Sequence, residues 1–506
     1  MIDFMKLQNG SDIFGAAAGG TADEEVVLTE EVAGAIAGSF AYWLGFKVGK
    51  NPYDLRICVG RDPRPSGDVL REGILKGIAM FGAEGYDTGL AVTPAMYMST
   101  ALPQLDYDGA VMITGGNLPW NMNGFKLFSR EGALDPEDTA TILRTASKYN
   151  FVGEFYEERS VNALQIYAAY LRQMTSLGLR DVPGGLSGMH IVVDAGSGAG
   201  GFFAKDVLEP MGADISGSQF PETDGTLPGG QSDRENNNTL ASMCKTVTEC
   251  KADLGVVFDV DGSHATVIGP DGEPVTGNEI IALAAALAAE DYPGETVVTD
   301  SNTSDGLHEF LEGSLGLRHI RYKSGIRNII NKARELREDG EQVFLAAETS
   351  GHAAFSDNYF LDDGVFLALQ IIINAAILKS KGRDLSALTG ALRKPAESRV
   401  IKFRLLAEDS DAAGSRMLED MEKWARETAG LELVTPNYDG VRVRFRLPVS
   451  GDGDAERSAG WFSLRKSPHD NAMTLSIESD TAGGVNKVLP VINIFAGRYE
   501  GVEISN

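Results

Sequence analysis

Short apolar strands alternate with amphipathic helices from residue 28 onward, and this alternation limits the chain to a small set of folds. A helix is predicted after Thr29, because apolar residues then recur at helical spacing. Strands are predicted at 55–60 and 108–114, with a helix over 67–81 that Ser66 can cap. This βαβαβ order is typical of a mostly parallel sheet.

The alternation continues through two further units and then changes character. The second unit has predicted helices at 161–177 and 202–211 and strands at 190–194 and 254–258. The third has predicted helices at 278–290, 305–315 and 326–336 and strands at 296–299, 319–322 and 342–347. The tail has predicted strands at 399–406, 440–447, 460–466 and 473–478, a helix at 412–429 and another after 484. We therefore expect an α/β protein with three similar α/β domains at 1–160, 161–275 and 276–393, followed by an α+β domain at 394–506.

Charge and composition exclude several function classes. Lys and Arg number 45 against 72 Asp and Glu, a net charge of −27 that disfavours nucleic-acid binding through a basic surface. Three scattered cysteines indicate a reducing compartment rather than a disulfide framework or a zinc site. The longest apolar runs, 280–289 and 365–378, are shorter than the roughly 20 residues of a membrane span. We expect no nucleic acid and no membrane as partners.

Two strand ends carry loops that could bind ligands. Residues 196–201 satisfy the GxGxxG pattern after a strand, which fits either a dinucleotide site or the tight turn that any parallel sheet needs. Asp259 and Asp261, followed by Ser263, come after the strand at 254–258. Alternating carboxylates at such an end can hold Mg²⁺, and an acidic turn that caps the next element is the alternative.

Two further polar stretches follow strands in the second half of the chain. Glu348 and Ser350 can hydrogen-bond vicinal sugar hydroxyls, or they can form a helix-capping turn. Arg465, Ser467 and His469 occupy alternate positions, which suits an anionic phosphate or a solvated edge. The turns at 60–66 and 123–126 are also rich in charge.

Five stretches, taken in chain order, carry a resemblance. They are VGRDPRPSG at 59–67, TGGNLPWNMNGFKLF at 114–128, AETSGHAAFSDNYFLDDG at 347–364, NYDGVRV at 437–443, and 460–479. Together they resemble the α-D-phosphohexomutase superfamily of phosphoglucomutases and phosphomannomutases, most closely its plant- and algal-type branch. The resemblance implies four domains around a central cleft and a hexose phosphate as ligand. It also implies a phosphoserine that donates its phosphoryl group, a hexose 1,6-bisphosphate intermediate, and Mg²⁺ held by three aspartates.

The chain departs from that family pattern in three loops. The serine position is Gly116, which has no side-chain oxygen, and the histidine that follows it in the family is Asn117. The third metal-binding aspartate is Ser263, and the arginine after it is His264. An arginine of the first loop is replaced by Phe14. The resemblance therefore implies that no catalytic serine is intact and that Mg²⁺ binding at Asp259 and Asp261 is weak or lost.

Two interpretations follow. In the first, the chain is a pseudoenzyme that binds a hexose phosphate as a sensor, or acts as a subunit or scaffold for a protein partner. The residues implied in binding are Arg61, Glu348, Ser350, His352, Arg465 and Ser467. In the second, it is an active mutase that uses a serine-independent route, with hexose 1,6-bisphosphate as cofactor and Lys126 as a candidate catalytic residue. Only eight residues precede the first motif, so we expect a cytoplasmic protein, or a plastid one whose transit peptide is absent from this sequence.

Overall fold

The chain divides into two compact units in the computed structural model. The structure describes residues 2–19, 25–148, 153, 155–219, 223–226, 237–407, 409–446, 460–467, 471–499 and 502–505. The first unit comprises Met1–Thr276 and Gly351–Ala387, and the second comprises Gly277–Ser350 and Leu388–Asn506.

Each unit contains both strands and helices. Up to residue 276 the strands are β1 (Gln8–Asn9), β2 (Asp12–Ala16), β3 (Arg56–Arg61), β4 (Glu84–Leu90), β5 (Gly109–Ile113), β6 (Met122–Ser129), β7 (Gly132–Ala133), β8 (Ile191–Asp194), β9 (Leu254–Phe258), β10 (Ala265–Ile268) and β11 (Pro274–Val275). The helices in that part are α1 (Glu30–Val48), α2 (Gly67–Met80), α3 (Thr93–Ala101), α4 (Pro136–Ala146), α5 (Ala163–Gly178) and α6 (Asn237–Cys250). From 277 onward the strands are β12 (Thr296–Asp300), β13 (Arg318–Tyr322), β14 (Val343–Ala347), β15 (Ala353–Phe355), β16 (Leu361–Asp362), β17 (Glu397–Leu405), β18 (Leu431–Leu433), β19 (Val441–Phe445), β20 (Gly460–Lys466), β21 (Ala472–Ser479) and β22 (Val502–Ser505). The helices in that part are α7 (Asn278–Ala288), α8 (Asp305–Glu309), α9 (Ile326–Glu338), α10 (Gly364–Ser380), α11 (Ser386–Thr389), α12 (Ser410–Glu427) and α13 (Gly484–Ala496).

The first sheet is mixed, so the prediction of a mostly parallel sheet was wrong for this part of the chain. Its order is β1-β2-β6-β5-β3-β4, with β7 beside β6. Strands β3, β4 and β5 run parallel, because α2 and α3 carry the chain back across the sheet between them. The chain returns from β5 to β6 through the loop at 114–121 without a crossover helix, and β6 is therefore antiparallel to β5.

Helices α1 and α2 pack unusually closely on this sheet. Thr29 caps α1 as predicted, and its hydroxyl accepts a hydrogen bond from the Val32 amide. Ser66 precedes α2, but its hydroxyl accepts instead from the Asn123 amide group at 2.9 Å, so the predicted cap is wrong. A Cβ built at Gly73 or Gly77 of α2 would lie 2.2 Å from a backbone oxygen of Glu30 or Gly34 in α1. These two glycines set the distance between the helices.

A predicted helix of the first unit proved irregular. The segment 202–211 contains a π-helical turn at Phe203–Leu208 followed by a 3₁₀ turn at Glu209–Met211. Pro210 has no amide proton with which to bond the Asp206 carbonyl, and the Arg172 guanidinium donates to that carbonyl instead at 2.5 Å. The first unit is completed by the hairpin of β15 and β16 and by α10, which packs on α5, β9 and β10.

The second unit contains two sheets of different kinds. Strands β13, β12 and β14 form a parallel set with β12 in the middle. The predicted helix at 305–315 is α8 followed by a π-helical segment at Phe310–Ser314. The last six strands form an antiparallel sheet in the order β18-β19-β20-β21-β17-β22. Helices α12 and α13 share one apolar core with this sheet, which confirms the predicted α+β arrangement of the tail.

No helix in the described ranges combines the length and apolar character needed to cross a membrane.

The close approach of α1 and α2 yields a stability prediction. Gly77→Ala should lower the free energy of unfolding by about 1–3 kcal/mol, because its methyl group must displace the backbone at Gly34. Gly313→Ala is the control, since Gly313 lies in the helical segment at 310–314 and a methyl group added there would have no heavy atom within 4 Å. That variant should be unchanged or stabilised by up to about 1 kcal/mol. Urea unfolding followed by circular dichroism measures both, and equal effects of the two substitutions would contradict the packing argument.

Candidate functional site

The loop between β9 and β10 carries the two aspartates that were predicted from the sequence to be metal ligands. Ser263 Oγ lies 2.8 Å from Asp261 Oδ1 and 3.0 Å from Asp259 Oδ2. The His264 amide donates to Asp259 Oδ1 at 3.0 Å. All four side chains are buried, so this loop is folded around its own hydroxyl and amide donors.

Lys126 of β6 reaches the same loop. Its ammonium lies 2.9 Å from Asp261 Oδ2, and Asp261 is fully buried. The Thr93 hydroxyl, at the start of α3, donates to the same oxygen at 2.7 Å. The structure therefore brings Lys126, Asp259, Asp261 and Ser263 together. Four donors engage the Asp261 carboxylate: the Lys126 ammonium, the Thr93 hydroxyl, and the hydroxyl and amide of Ser263.

The environment of this cluster shifts the pKa values of the two aspartates in opposite directions. Burial, reinforced by the neighbouring Asp261, raises the pKa of Asp259 to about 7. Burial would also raise the pKa of Asp261, but the Lys126 ammonium together with hydrogen bonds from Thr93 and Ser263 holds that pKa below its ordinary value. Burial alone would lower the pKa of Lys126, whereas Asp261 and Asp12 together raise it above the ordinary value. At neutral pH the pair Lys126–Asp261 is therefore ionised.

The donor set does not fit the Mg²⁺ site that the family pattern implies. A hard divalent cation needs several free oxygen ligands, mostly carboxylates. In this loop Ser263 is a neutral hydroxyl, the oxygens of Asp259 and Asp261 already accept hydrogen bonds, and an ammonium lies beside them. Across the described ranges, no group of three His, Cys, Asp or Glu side chains is arranged to hold a metal ion.

The loop that contains Gly116 is organised by a buried arginine that was predicted only as part of a charged turn. Arg64 donates to the carbonyl oxygens of Gly116 at 2.6 Å, Pro119 at 2.5 Å and Met122 at 3.0 Å. Its Nε lies 3.0 Å from Asp62 Oδ2, and both side chains are fully buried. The sequence does not reveal that Arg64 is buried and bonds these carbonyls, because a turn with an exposed arginine would have the same residues.

Gly116 itself adopts a left-handed backbone conformation, with a φ of +54°. Its amide donates a hydrogen bond to the Thr114 hydroxyl at 2.9 Å. That hydroxyl donates in turn to Asp62 at 2.8 Å, and Thr114 is fully buried. A Cβ at Gly116 would have no heavy atom within 4 Å, so the position faces open space.

The predicted binding residues Arg61 and His352 of the first unit each pair with a different aspartate. Arg61, at the end of β3, forms an ion pair with Asp68 at 2.8 Å. His352 contacts Asp362 at 2.9 Å and stacks edge-on against His264 with ring centroids 5.2 Å apart. His352 is thus next to the β9–β10 loop, whereas Arg61 is engaged at the start of α2.

In the second unit, the predicted sugar-binding residues follow β14. Glu348 accepts a hydrogen bond from the Gly325 amide at 2.6 Å and another from the Ser350 hydroxyl at 3.1 Å. Between them, Thr349 donates its hydroxyl to Asp300 at 2.8 Å. Glu348 and Ser350 therefore lie together on a loop that is anchored to the end of β12, and their role in sugar binding stays a prediction.

The predicted phosphate-binding residues lie at the end of the antiparallel strand β20. Arg465 packs against Gly440, where an added Cβ would lie 2.9 Å from the Arg465 Cβ. The adjacent Asp439 accepts hydrogen bonds from the hydroxyls of Ser301 at 2.7 Å and Ser324 at 2.9 Å, and Ser324 precedes the Gly325 amide that donates to Glu348. Arg465 therefore lies in the same region as the loop of Glu348. The Ser467 amide donates to the Ala472 carbonyl at 2.8 Å, and His469 lies outside the described residues.

An arginine cluster in the second unit was not predicted from the sequence. Asp305 lies within 3.2 Å of guanidinium nitrogens from Arg321, Arg442 and Arg444. Burial opposes ionisation of Asp305, but these arginines, Arg442 foremost, lower its pKa to about 2. Arg442 and Arg444 alternate along β19, so their period of two was a signal that one face of the strand was charged.

The glycine-rich loop at 196–201 packs against the acidic loop. A Cβ at Gly198 would lie 2.5 Å from the Val260 carbonyl oxygen, and one at Gly200 would lie 3.1 Å from the Phe258 side chain. The Ala199 amide donates to the Val260 carbonyl at 2.9 Å. These contacts support the tight-turn interpretation of the pattern over the dinucleotide site.

Three family models match the chain in succession. Those described as phosphoglucomutase/phosphomannomutase alpha/beta/alpha domains I, II and III match residues 9–152, 168–272 and 276–395. The phosphomannomutase/phosphoglucomutase of Pseudomonas aeruginosa is 26% identical over 469 residues, which is 92% of each chain. The phosphoglucosamine mutase of Ligilactobacillus salivarius is 25% identical over 448 residues, covering 85% of this chain and 91% of that one.

A solved structure agrees at the level of the fold. The crystal structure of a phosphoglucomutase/phosphomannomutase family protein from Burkholderia thailandensis covers 98% of both chains with a TM-score of 0.78 and 22% identity. The predicted plant- and algal-type branch stays a prediction.

The raised pKa of Asp259 predicts that substituting this residue changes how stability depends on pH. Because the folded pKa of Asp259 is raised to about 7, its contribution to stability is present below its unfolded pKa and is lost as the pH rises to 7. Asp259→Asn mimics the protonated acid and escapes this loss. The melting temperature of Asp259→Asn relative to wild type should therefore be higher at pH 8 than at pH 5, by roughly 2–4 °C for each 1 kcal/mol of stability that ionisation of buried Asp259 removes from wild type.

The exposed Asp181→Asn, which makes the same change in charge, serves as the control and should show no such trend. A variant Asp259→Asn that loses stability as the pH rises would mean that ionised Asp259 is stabilised by the cluster.

Proposed function

Because the chain belongs to the α-D-phosphohexomutase superfamily, we propose that it binds a hexose phosphate without carrying out the mutase reaction. The observation that carries the proposal is Gly116 at the position of the phosphoserine. A mutase of this family needs a side-chain oxygen there to hold the transferred phosphoryl group, and glycine has none.

Neither of the neighbouring hydroxyls at Thr114 and Ser11 is a good substitute for the missing serine. Thr114 is fully buried, and its hydroxyl both donates to Asp62 and accepts from the Gly116 amide. Making it a nucleophile would break both hydrogen bonds in a buried loop. Ser11 precedes β2 and falls outside the family's serine position.

The acidic loop supports the same proposal. Charge stabilisation by a divalent ion supplies a large part of the rate in phosphoryl transfer. With Ser263 in place of a carboxylate and Lys126 beside Asp261, the loop offers a poor site for that ion. Mg²⁺ and a phosphoserine would therefore both be missing from the reaction.

The second unit retains the groups that would recognise the ligand. Glu348 and Ser350 present a carboxylate and a hydroxyl for sugar hydroxyls, and Arg465 lies in the same region as a partner for phosphate. Ser467, which follows β20, is assigned to binding with them. His352 and Arg61 belong to the first unit, and their role in binding stays a prediction. A hexose phosphate sensor, or a subunit with a protein partner, would need no more than this.

An active mutase is the second candidate function. The Pseudomonas aeruginosa relative, which is 26% identical over 92% of this chain, is named a phosphomannomutase/phosphoglucomutase. In that case hexose 1,6-bisphosphate would have to exchange phosphate without a serine, with Lys126 near the reacting groups. This candidate requires turnover that depends on the bisphosphate.

Turnover is tested with glucose 1-phosphate, catalytic glucose 1,6-bisphosphate and Mg²⁺, in an assay coupled to glucose 6-phosphate oxidation. We expect no rate above that of Arg465→Ala, which controls for contaminating mutase. Gly116→Ser alone should also stay about a thousandfold or more below an active mutase, because the acidic loop still lacks its third carboxylate. Activity that disappears in Arg465→Ala would refute the proposal and favour the second candidate.

Binding is tested separately by titration calorimetry with glucose 1-phosphate in EDTA. Wild type should bind, and Arg465→Ala should weaken binding by about 1.5–3 kcal/mol, which is the contribution of a charged hydrogen bond. Arg404→Ala, which removes an exposed arginine from β17, should leave binding unchanged. If wild type binds neither glucose 1-phosphate nor mannose 1-phosphate, only the fold has been retained.

A further inference from the structure

Two exposed aromatic side chains of α1 begin an apolar patch on the first unit. Tyr42 and Phe46 are four residues apart, so they share one face of the helix, and their rings meet edge to face with centroids 5.1 Å apart. The Tyr42 ring also lies 6.2 Å from the ring of Phe81, which follows α2. The patch therefore joins aromatic residues from both helices.

The patch continues past Phe81 to the turn that precedes β3. A Cβ built at Gly82 would lie 2.4 Å from the Tyr53 ring, so that ring lies directly against Gly82. Met80, the last residue of α2, is also exposed. We call this surface the α1–α2 aromatic patch, and its members are Tyr42, Phe46, Tyr53, Met80 and Phe81.

Three rings of the aromatic patch are open to solvent. Phe46 and Tyr53 are 75% and 76% exposed, and Tyr42 is 40% exposed. Because burying a whole aromatic side chain removes about 150–250 Å² from water, the exposed parts of these three rings amount to about 400 Å². Single exposed apolar side chains are ordinary, whereas a contiguous group of this size marks an interaction surface.

Two lysines beside the patch are neutralised within the chain. Lys47, next to Phe46, lies 2.8 Å from Glu131, and Lys50 lies 2.7 Å from buried Asp108. The whole chain carries a net charge of −27, so two copies repel each other through most of their surface. An apolar patch with neutralised neighbours is a surface through which they can meet without bringing like charges together.

We propose that the α1–α2 aromatic patch is the contact between two copies of this chain in a dimer with twofold symmetry. Such a contact buries the same patch on both copies, so the three exposed rings contribute about 800 Å² in total. Stable interfaces bury about 1,200–2,000 Å², and the side chains around the rings would supply the remainder. Aromatic residues at the centre and polar residues at the rim are the usual composition of such interfaces.

The dimer goes beyond the proposed function. No residue assigned to hexose phosphate binding belongs to the aromatic patch, and the measurement of the dimer uses no sugar. Failure to bind glucose 1-phosphate would therefore refute the proposed function and leave the dimer standing, and a monomeric protein that binds glucose 1-phosphate would do the reverse.

The experiment follows the mass of the full-length protein by sedimentation velocity between about 1 and 50 μM. Wild type should shift towards the mass of two chains as its concentration rises. Dimerisation should strengthen by about threefold or more between about 0.05 and 0.5 M NaCl, because salt screens the repulsion between two acidic copies. A contact held by ion pairs would weaken instead.

The variants place a charge inside the proposed contact. Phe46→Lys should weaken dimerisation by about tenfold or more, because it removes a ring and sets an ammonium against the partner's patch. Tyr53→Lys should have the same effect, and both variants should melt close to wild type because both side chains are exposed. Ile494→Lys is the matched control, since Ile494 is 67% exposed on α13 of the second unit, and this variant should dimerise like wild type.

Three results would overturn the proposal. One is a wild type that stays monomeric at about 50 μM in high salt. Another is a dimer that neither Phe46→Lys nor Tyr53→Lys weakens, because a different surface would then hold the copies together. The third is a dimer that dissociates as salt is added. If one lysine variant does not fold, the other decides the outcome.

Discussion

The ion pair between Lys126 and Asp261 links the two sheets of the first unit and determines what the acidic loop can do. The lysine comes from β6 of the first sheet. The aspartate follows β9, which belongs to a separate four-stranded sheet of the order β11-β10-β9-β8. A buried charge without a partner would cost several kcal/mol, so this pair constrains both loops at once. The Thr93 hydroxyl and the hydroxyl and amide of Ser263 also donate to this carboxylate.

The Gly116 loop is also held by hydrogen bonds within the chain, which come mainly from a buried arginine. There, a buried guanidinium donates to three backbone carbonyls and pairs with Asp62. Thr114 adds a further hydrogen bond to Asp62. In both loops, buried polar groups are therefore hydrogen-bonded within the chain.

Sequence periodicity was enough to find most of the regular elements and the change of character in the tail. Strands such as β9 and β20 have the predicted bounds because an apolar run between polar residues leaves little choice of limits. The strand direction in the first sheet could not be predicted this way, since it depends on whether a crossover helix follows β5. The π-helical turn at Phe203–Leu208 could not be predicted either, because it depends on the missing amide proton of Pro210 and on the hydrogen bond from Arg172 to the Asp206 carbonyl.

The candidate site was likewise predictable as a set of residues but not as a set of interactions. Lys126 is more than 130 residues from Asp261 along the chain, and only the sheet pairing brings them together.

The two altered loops are better explained together than as separate losses. Gly116 lacks the side-chain oxygen of the family's phosphoserine, and Ser263 lacks one of the three carboxylates of the implied metal loop. Both missing groups serve the same phosphoryl transfer, so their absence affects one reaction. This combination fits the proposed function, in which the second unit recognises a phosphosugar and the first unit does not carry out phosphoryl transfer.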